Sequence, residues 1–204
     1  MKTQLRAGIL LGALLLAGCT RKSILLQEIG ARTAAIPGVG VCGTVSGLEI
    51  VDERQGVSDR DLRVPTFSIR GQRDEVRPAL SDSLKGVIAD EVGRRVRGTA
   101  EPVAVTVRIT EGVQRFTARA ASEQETVRWA VEVTMRSAHG NVSATGEMET
   151  TAQSIDASLK FVNQLSAETL RGTVAQALEH AAQRMLPEAR ACRPAPVVPT
   201  PASS

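Results

Sequence analysis

The sequence predicts an α+β fold, a two-layer sandwich in which two helices pack side by side on one face of a single antiparallel or mixed sheet, in the order β-α-β-β-β-α. Three patterns carry this expectation. Val76, Leu80, Leu84, Val87, Ile88, Val92 and Val96 recur at steps of three and four residues, which is the apolar stripe of an amphipathic helix. Val127, Trp129, Val131, Val133 and Met135 alternate strictly with Arg128, Ala130, Glu132, Thr134 and Arg136, the period of a half-buried strand. Leu170, Val174, Leu178, Ala181 and Met185 form a second helical stripe near the end.

The first element is not part of the fold. Lys2 and Arg6 precede an apolar run over residues 7–17, and small residues lead to Cys19, so residues 1–18 read as a secretory signal peptide. The run is too short to span a bilayer, and no later segment approaches the roughly 20 apolar residues a spanning helix needs. Leu16-Ala17-Gly18-Cys19 also resembles the lipobox of bacterial lipoproteins. The resemblance implies cleavage before Cys19, a diacylglycerol thioether on its sulfur and an acyl chain on the new amine, with no other cofactor. Residues 19–37 then form a lipid-anchored tether. Thr20 stands where an aspartate would mark retention in the inner membrane, so the resemblance implies the outer membrane, with the body facing the periplasm. Arg21 and Lys22 are set to meet phospholipid headgroups, each worth about 1 kcal/mol on an anionic surface.

Composition narrows the remainder. Losing Lys2 and Arg6 lowers the formal net charge from +3 to +1, and aromatic residues are 2% of the chain, so no nucleic-acid partner is expected. With Cys19 acylated, Cys42 and Cys192 remain, and an oxidising periplasm favours a disulfide between them over two free thiols. Closing so long a loop contributes about 4–5 kcal/mol in the chain-entropy model.

Residues 38–187 make a single domain. Gly38-Val39-Gly40-Val41-Cys42-Gly43 matches the glycine spacing of dinucleotide sites, but Pro37 precedes it and Val45, Leu48 and Ile50 after it look extended, so glycines at the start of a strand explain it. The first strand spans 48–53. Residues 54–74 are polar and irregular, with a short candidate strand at 66–70 that Pro65 keeps off the sheet centre. The first helix runs over 75–97, with Pro78 in its first turn and Gly98 as its stop. Gly86 and Gly93 weaken it by about 1 kcal/mol each. Val103, Val105, Val107 and Ile109 form the next strand, which continues through Val113 and Phe116 past a bulge near Gly112. After the 127–136 strand, Ala138-His139-Gly140-Asn141 turns the chain, and Val142, Ala144, Gly146 and Met148 return it. The closing helix spans 167–186, with Ser166 and Thr169 offering capping oxygen and Pro187 ending it. Residues 188–204, rich in proline and serine, read as a disordered tail.

Taken together, the lipobox, the strand ending Ile50-Val51-Asp52-Glu53-Arg54, the amphipathic helix, the meander and the closing helix resemble small Gram-negative outer-membrane lipoproteins of the YajG type. They are also similar in architecture to LptE-like lipopolysaccharide-assembly lipoproteins and to the auxiliary lipoproteins of intermembrane lipid transporters. The likeness spans residues 40–187 and rests on element order, so no family binding residue carries over.

The chemistry-bearing residues are few. His139 and His180 have no metal-like spacing to other ligands and read as solvated. Asp90 and Glu91 are adjacent on a helix and point apart, and no nucleophile elbow or phosphate loop is present, so no enzyme and no metal are expected. The sequon Asn141-Val142-Ser143 has no meaning in a bacterial lipoprotein. Asp52 and Arg54 share a strand face, either pairing across strands or forming a polar hook for a partner. Arg108, Arg128 and Arg136 project from the polar sheet face, where they either hold phosphate or carboxylate groups or mix with acids such as Glu132 in a soluble surface. The function expected is a non-catalytic accessory factor in envelope assembly or transport, held by the membrane anchor against an envelope protein partner. The second reading is a binding module for lipopolysaccharide, phospholipid or cell-wall glycan.

Overall fold

Alternation over 103–109 and 127–135 becomes the centre of a mixed, curled sheet. The structure, a computed structural model, describes residues 41–58, 60–63, 72–119, 122–154 and 159–185. The expected signal peptide, tether and tail and the candidate strand at 66–70 lie outside these residues. Five strands are described: β1 (Val41–Asp52), β2 (Gln72–Val76), β3 (Val96–Arg119), β4 (Ser122–Ser137) and β5 (Gly140–Ser154). The two helices are α1 (Asp82–Arg95), between β2 and β3, and α2 (Leu159–Arg184), after β5.

The 24-residue β3 is the spine. On one side β1 runs parallel to it as far as Ile109, and β2 runs antiparallel to its second half, from Gln114 to Ala118. On its other side β4 and then β5 follow antiparallel. A bulge between Ile109 and Glu111 bends β3 and switches which residues face inward. Before it, Val105, Val107 and Ile109 lie opposite Met135, Val133 and Val131; after it, Gly112, Gln114 and Phe116 lie opposite Trp129, Val127 and Glu125.

Both helices contribute to the core on the inward face. Ile88 and Val92 of α1 join Leu165, Leu170, Val174 and Leu178 of α2, packed with the inward valines of β3 and β4. A Cβ at Gly146 would overlap the Thr173 carbonyl, so α2 lies with its backbone directly on β5. A separate small cluster of Leu62, Val76, Phe116, Ala118 and Val162 packs at the far end of β3. No helix among the described residues is long and apolar enough to cross a membrane.

The element order departs from the expected β-α-β-β-β-α by one strand, β2, ahead of the first helix. Glu75 and Val76 belong to that strand, and Pro78 makes an isolated bridge with Ser58. The helix therefore covers 82–95 rather than 75–97, with Ser81 as N-cap accepting from the Leu84 N–H at 3.3 Å. Val96 and Arg97 already lie in β3. The closing helix begins at Leu159, not 167; Ser166 and Thr169 are buried within it, and the Thr169 hydroxyl donates to the Leu165 carbonyl at 2.7 Å. β1 starts at Val41, and its continuity through Gly43 leaves no helix for a dinucleotide fingerprint to open.

Candidate functional site

The end of β1 folds inward on a charge. Arg54 and Asp52 pair with one another: Nε donates to Asp52 Oδ1 at 2.7 Å and Nη2 to Oδ2 at 2.6 Å. The Arg54 side chain is only 2% exposed, because its guanidinium lies 5.1 Å from the centroid of the Trp129 ring on β4. Gly112 permits this, since a Cβ there would overlap both the indole and the guanidinium. The Arg54 bonds hold the Asp52 carboxyl below the ordinary carboxylate range, against a partial burial that pushes it up. The indole Nε1–H in turn donates to Ser166 Oγ on α2 at 3.3 Å. Asp52, Arg54, Trp129 and Ser166 thus tie β1, β4 and α2 into one polar chain beneath the helices.

Beside that chain opens a cleft of about 450 Å³, walled by Ser58 and residues 60–62, the start of α1 and the first turns of α2. One wall is clamped by Arg60, whose Nη1 and Nη2 donate to Asp74 Oδ2 and Oδ1 at 2.8 and 2.9 Å. Asp74 also accepts the Arg63 N–H at 2.8 Å. The Arg60 bonds, more than the Arg63 N–H, lower the Asp74 carboxyl to about 2. At the base is Gln114, 6% exposed, on β3 between Gly112 under the indole and Phe116 in the smaller apolar cluster. Among the described residues no group hydrogen-bonds its side-chain amide.

The sequence-predicted residues are distributed differently. Cys42 is buried on β1 and disulfide-bonded, while Cys19 and Cys192 lie outside the described residues. Arg108, Arg128 and Arg136 are all on the outward sheet face but do not converge: Arg128 and Arg136 are eight residues apart on one strand, about 27 Å. Arg108 lies 3.6 Å from Glu53 and 3.8 Å from Glu132, and Arg128 lies 3.4 Å from Glu111 and 2.6 Å from Glu147. Two of the three are therefore each flanked by two carboxylates, and Arg136 is exposed opposite Asn141. Asp52 and Arg54 do not pair across strands; they pair with each other, Arg54 turned inward and Asp52 open to solvent.

The histidines have partners as well as solvent. His139 Nε2 is 3.2 Å from Glu101 Oε1, and His180 Nδ1 is 3.1 Å from the Thr145 carbonyl. Asp90 and Glu91 diverge: Asp90 is exposed, while buried Glu91 accepts from Arg95 Nε at 2.7 Å. Among the described residues no group of three histidine, cysteine or carboxylate side chains is arranged to hold a metal.

Sequence reasoning missed Gln114, the bond of Ser166 to the Trp129 indole and the Arg60–Asp74 clamp. Gln114 carried a faint signal, a neutral polar residue at an inward position once the bulge is placed correctly. The clamp joins two stretches that read as irregular polar chain. No protein-family model matches this chain, and no curated protein matches it.

Proposed function

We propose that this chain is a non-catalytic outer-membrane lipoprotein acting as an accessory factor in envelope assembly or transport. In this reading Cys19 carries the lipid, and the body is a two-layer unit of helices and sheet facing the periplasm. The observation that carries the reading is Leu16-Ala17-Gly18-Cys19 behind a short charged and apolar leader. The disulfide at Cys42 supports it, since such bonds persist in oxidising compartments. With Cys19 acylated, the partner of Cys42 is Cys192. The outward sheet face supports contact with a protein: Arg108 and Arg128 are each balanced by neighbouring glutamates, which suits a polar docking surface. Crosslinking in intact cells followed by affinity recovery tests the reading. A stoichiometric envelope partner is expected, and recovery of the chain alone under efficient crosslinking would refute docking.

A second reading, a periplasm-facing binding module for lipopolysaccharide, phospholipid or cell-wall glycan, is favoured by the cleft with the unpartnered Gln114 amide in its lining. It expects direct ligand binding by the purified protein without a protein partner.

A further inference from the structure

We propose that the cleft between the start of α1 and the first turns of α2 binds a short, uncharged saccharide. The inference rests on the second reading above and names its ligand class. The cleft has the size of a small-molecule site, about 450 Å³ within the usual 300–1,000 Å³.

Its polar lining selects the chemistry. Ser58, Ser81 and Ser166 each accept one N–H of the protein, from Arg60 at 3.1 Å, Leu84 at 3.3 Å and the Trp129 indole at 3.3 Å. Among the described residues none of these hydroxyls donates in return, so each keeps a hydrogen for something in the cleft. Gln114 and Asn163 add side-chain amides, each both donor and acceptor. Gln114 is the decisive one: its backbone and stem are buried, its amide has no partner among the described residues, and it lines the cleft, where a ligand or water can meet it. Groups that both donate and accept match sugar hydroxyls, which do the same.

Other ligands fit less well. A phosphate or carboxylate needs donors and positive charge, but the cation on the wall, Arg60, is held by both oxygens of Asp74 and by the Glu75 carbonyl, and Asp61 adds an acid. An acyl chain would strand the amide and the hydroxyls without partners. The apolar part of the lining, Leu62, Pro78, Leu84 and Val162, offers a surface for the C–H faces of a sugar ring.

The test is a titration of the isotopically labelled full-length protein in a sugar-free zwitterionic detergent, followed by nuclear magnetic resonance. The probes are N-acetylglucosamine, its β-linked dimer, inorganic phosphate and trialanine. Saturable shifts of the Gln114 and Asn163 side-chain amides with the sugars are expected. Gln114→Leu should weaken sugar binding about tenfold or more, the loss expected when ligand hydroxyls go unpaired. Leucine at 114 joins the apolar clusters on either side, so the fold should persist; Asn163→Leu, on the exposed rim, is the second variant and should also weaken binding. Shifts with phosphate or trialanine but not with the sugars would overturn the saccharide and retain ligand binding. Silence of the cleft to every probe, or sugar shifts equal in both variants and wild type, would overturn the site itself.

Discussion

Replacing Arg54 by alanine removes a side chain that is 2% exposed, and the consequences can be worked from its contacts. The guanidinium over the Trp129 ring contributes about 0.5–2 kcal/mol, toward the upper end because the contact is desolvated. Its two bonds to Asp52 are charge-assisted, a class worth about 1.5–3 kcal/mol in total here, but Asp52 is 26% exposed and regains water when the arginine is gone. The expected loss is about 2–4 kcal/mol, or roughly 5–15 °C in Tm for a chain of this size. Arg54→Met keeps the packing over the indole and should lose about half as much. Trp129 is the only tryptophan in the chain, so its fluorescence reports both the local change and the urea transition. The pH dependence has a fixed sign. Arg54 holds the folded-state Asp52 carboxyl below its unfolded value of 3.8, so the pair stabilises above that value and fades as pH falls through the folded one. The difference between wild type and Arg54→Ala should therefore shrink as pH falls below 3.8, down to the share carried by the Trp129 contact, which does not titrate. A variant within about 0.5 kcal/mol of wild type at neutral pH, with unchanged fluorescence, would refute the inward-folded strand end.

Other perturbations are sharper tests of single contacts. Asp74→Asn should lower stability by about 0.5–1 kcal/mol at neutral pH, a surface-pair value, and the difference should shrink as pH falls from 3.8 and be lost below about 2, where wild-type Asp74 is protonated; urea midpoints across that range check it. Gly146→Val should lift α2 from β5 and cost about 1–3 kcal/mol or more, read by thermal melting, because the added atoms meet helix backbone rather than a movable side chain. Mass spectrometry of unreduced digests should recover Cys42 linked to Cys192, and reduction should lower stability by about 4–5 kcal/mol in the chain-entropy model.

The parts of the fold legible in sequence were those with one dry face. Inward valines of β3 and β4 alternate because their opposite neighbours meet water, and the bulge near Gly112 shows as a break in that alternation. The sequence pattern puts the start of α1 too early because Val76 and Leu80 fall four residues apart in step with Leu84, while Val76 is buried as a strand residue in one cluster with Phe116. β2 itself gave no alternation: Arg73, Asp74 and Glu75 are charged, and its acids pair with Arg60 and Arg115 from elsewhere. The start of α2 lies earlier than its serine and threonine suggest, because these residues serve both as caps and as buried helix residues and local sequence does not separate the two roles. The candidate site was the least legible part. An arginine at a strand end reads as exposed, and its burial depends on Gly112 and Trp129, 58 and 75 residues away in the chain. The cleft is assembled from segments that meet only after the sheet has curled, so Gln114 and Ser166 acquire their roles from position rather than from any motif.

The proposed role requires a lipid at the mature amino terminus. Intact-mass and peptide analysis of the protein recovered from membranes measures it directly. The account predicts loss of residues 1–18 and a Cys19 carrying both a diacylglycerol thioether and an acylated amine. An unprocessed leader, an unmodified Cys19, or a Cys19 found in disulfide linkage with Cys42 would contradict it.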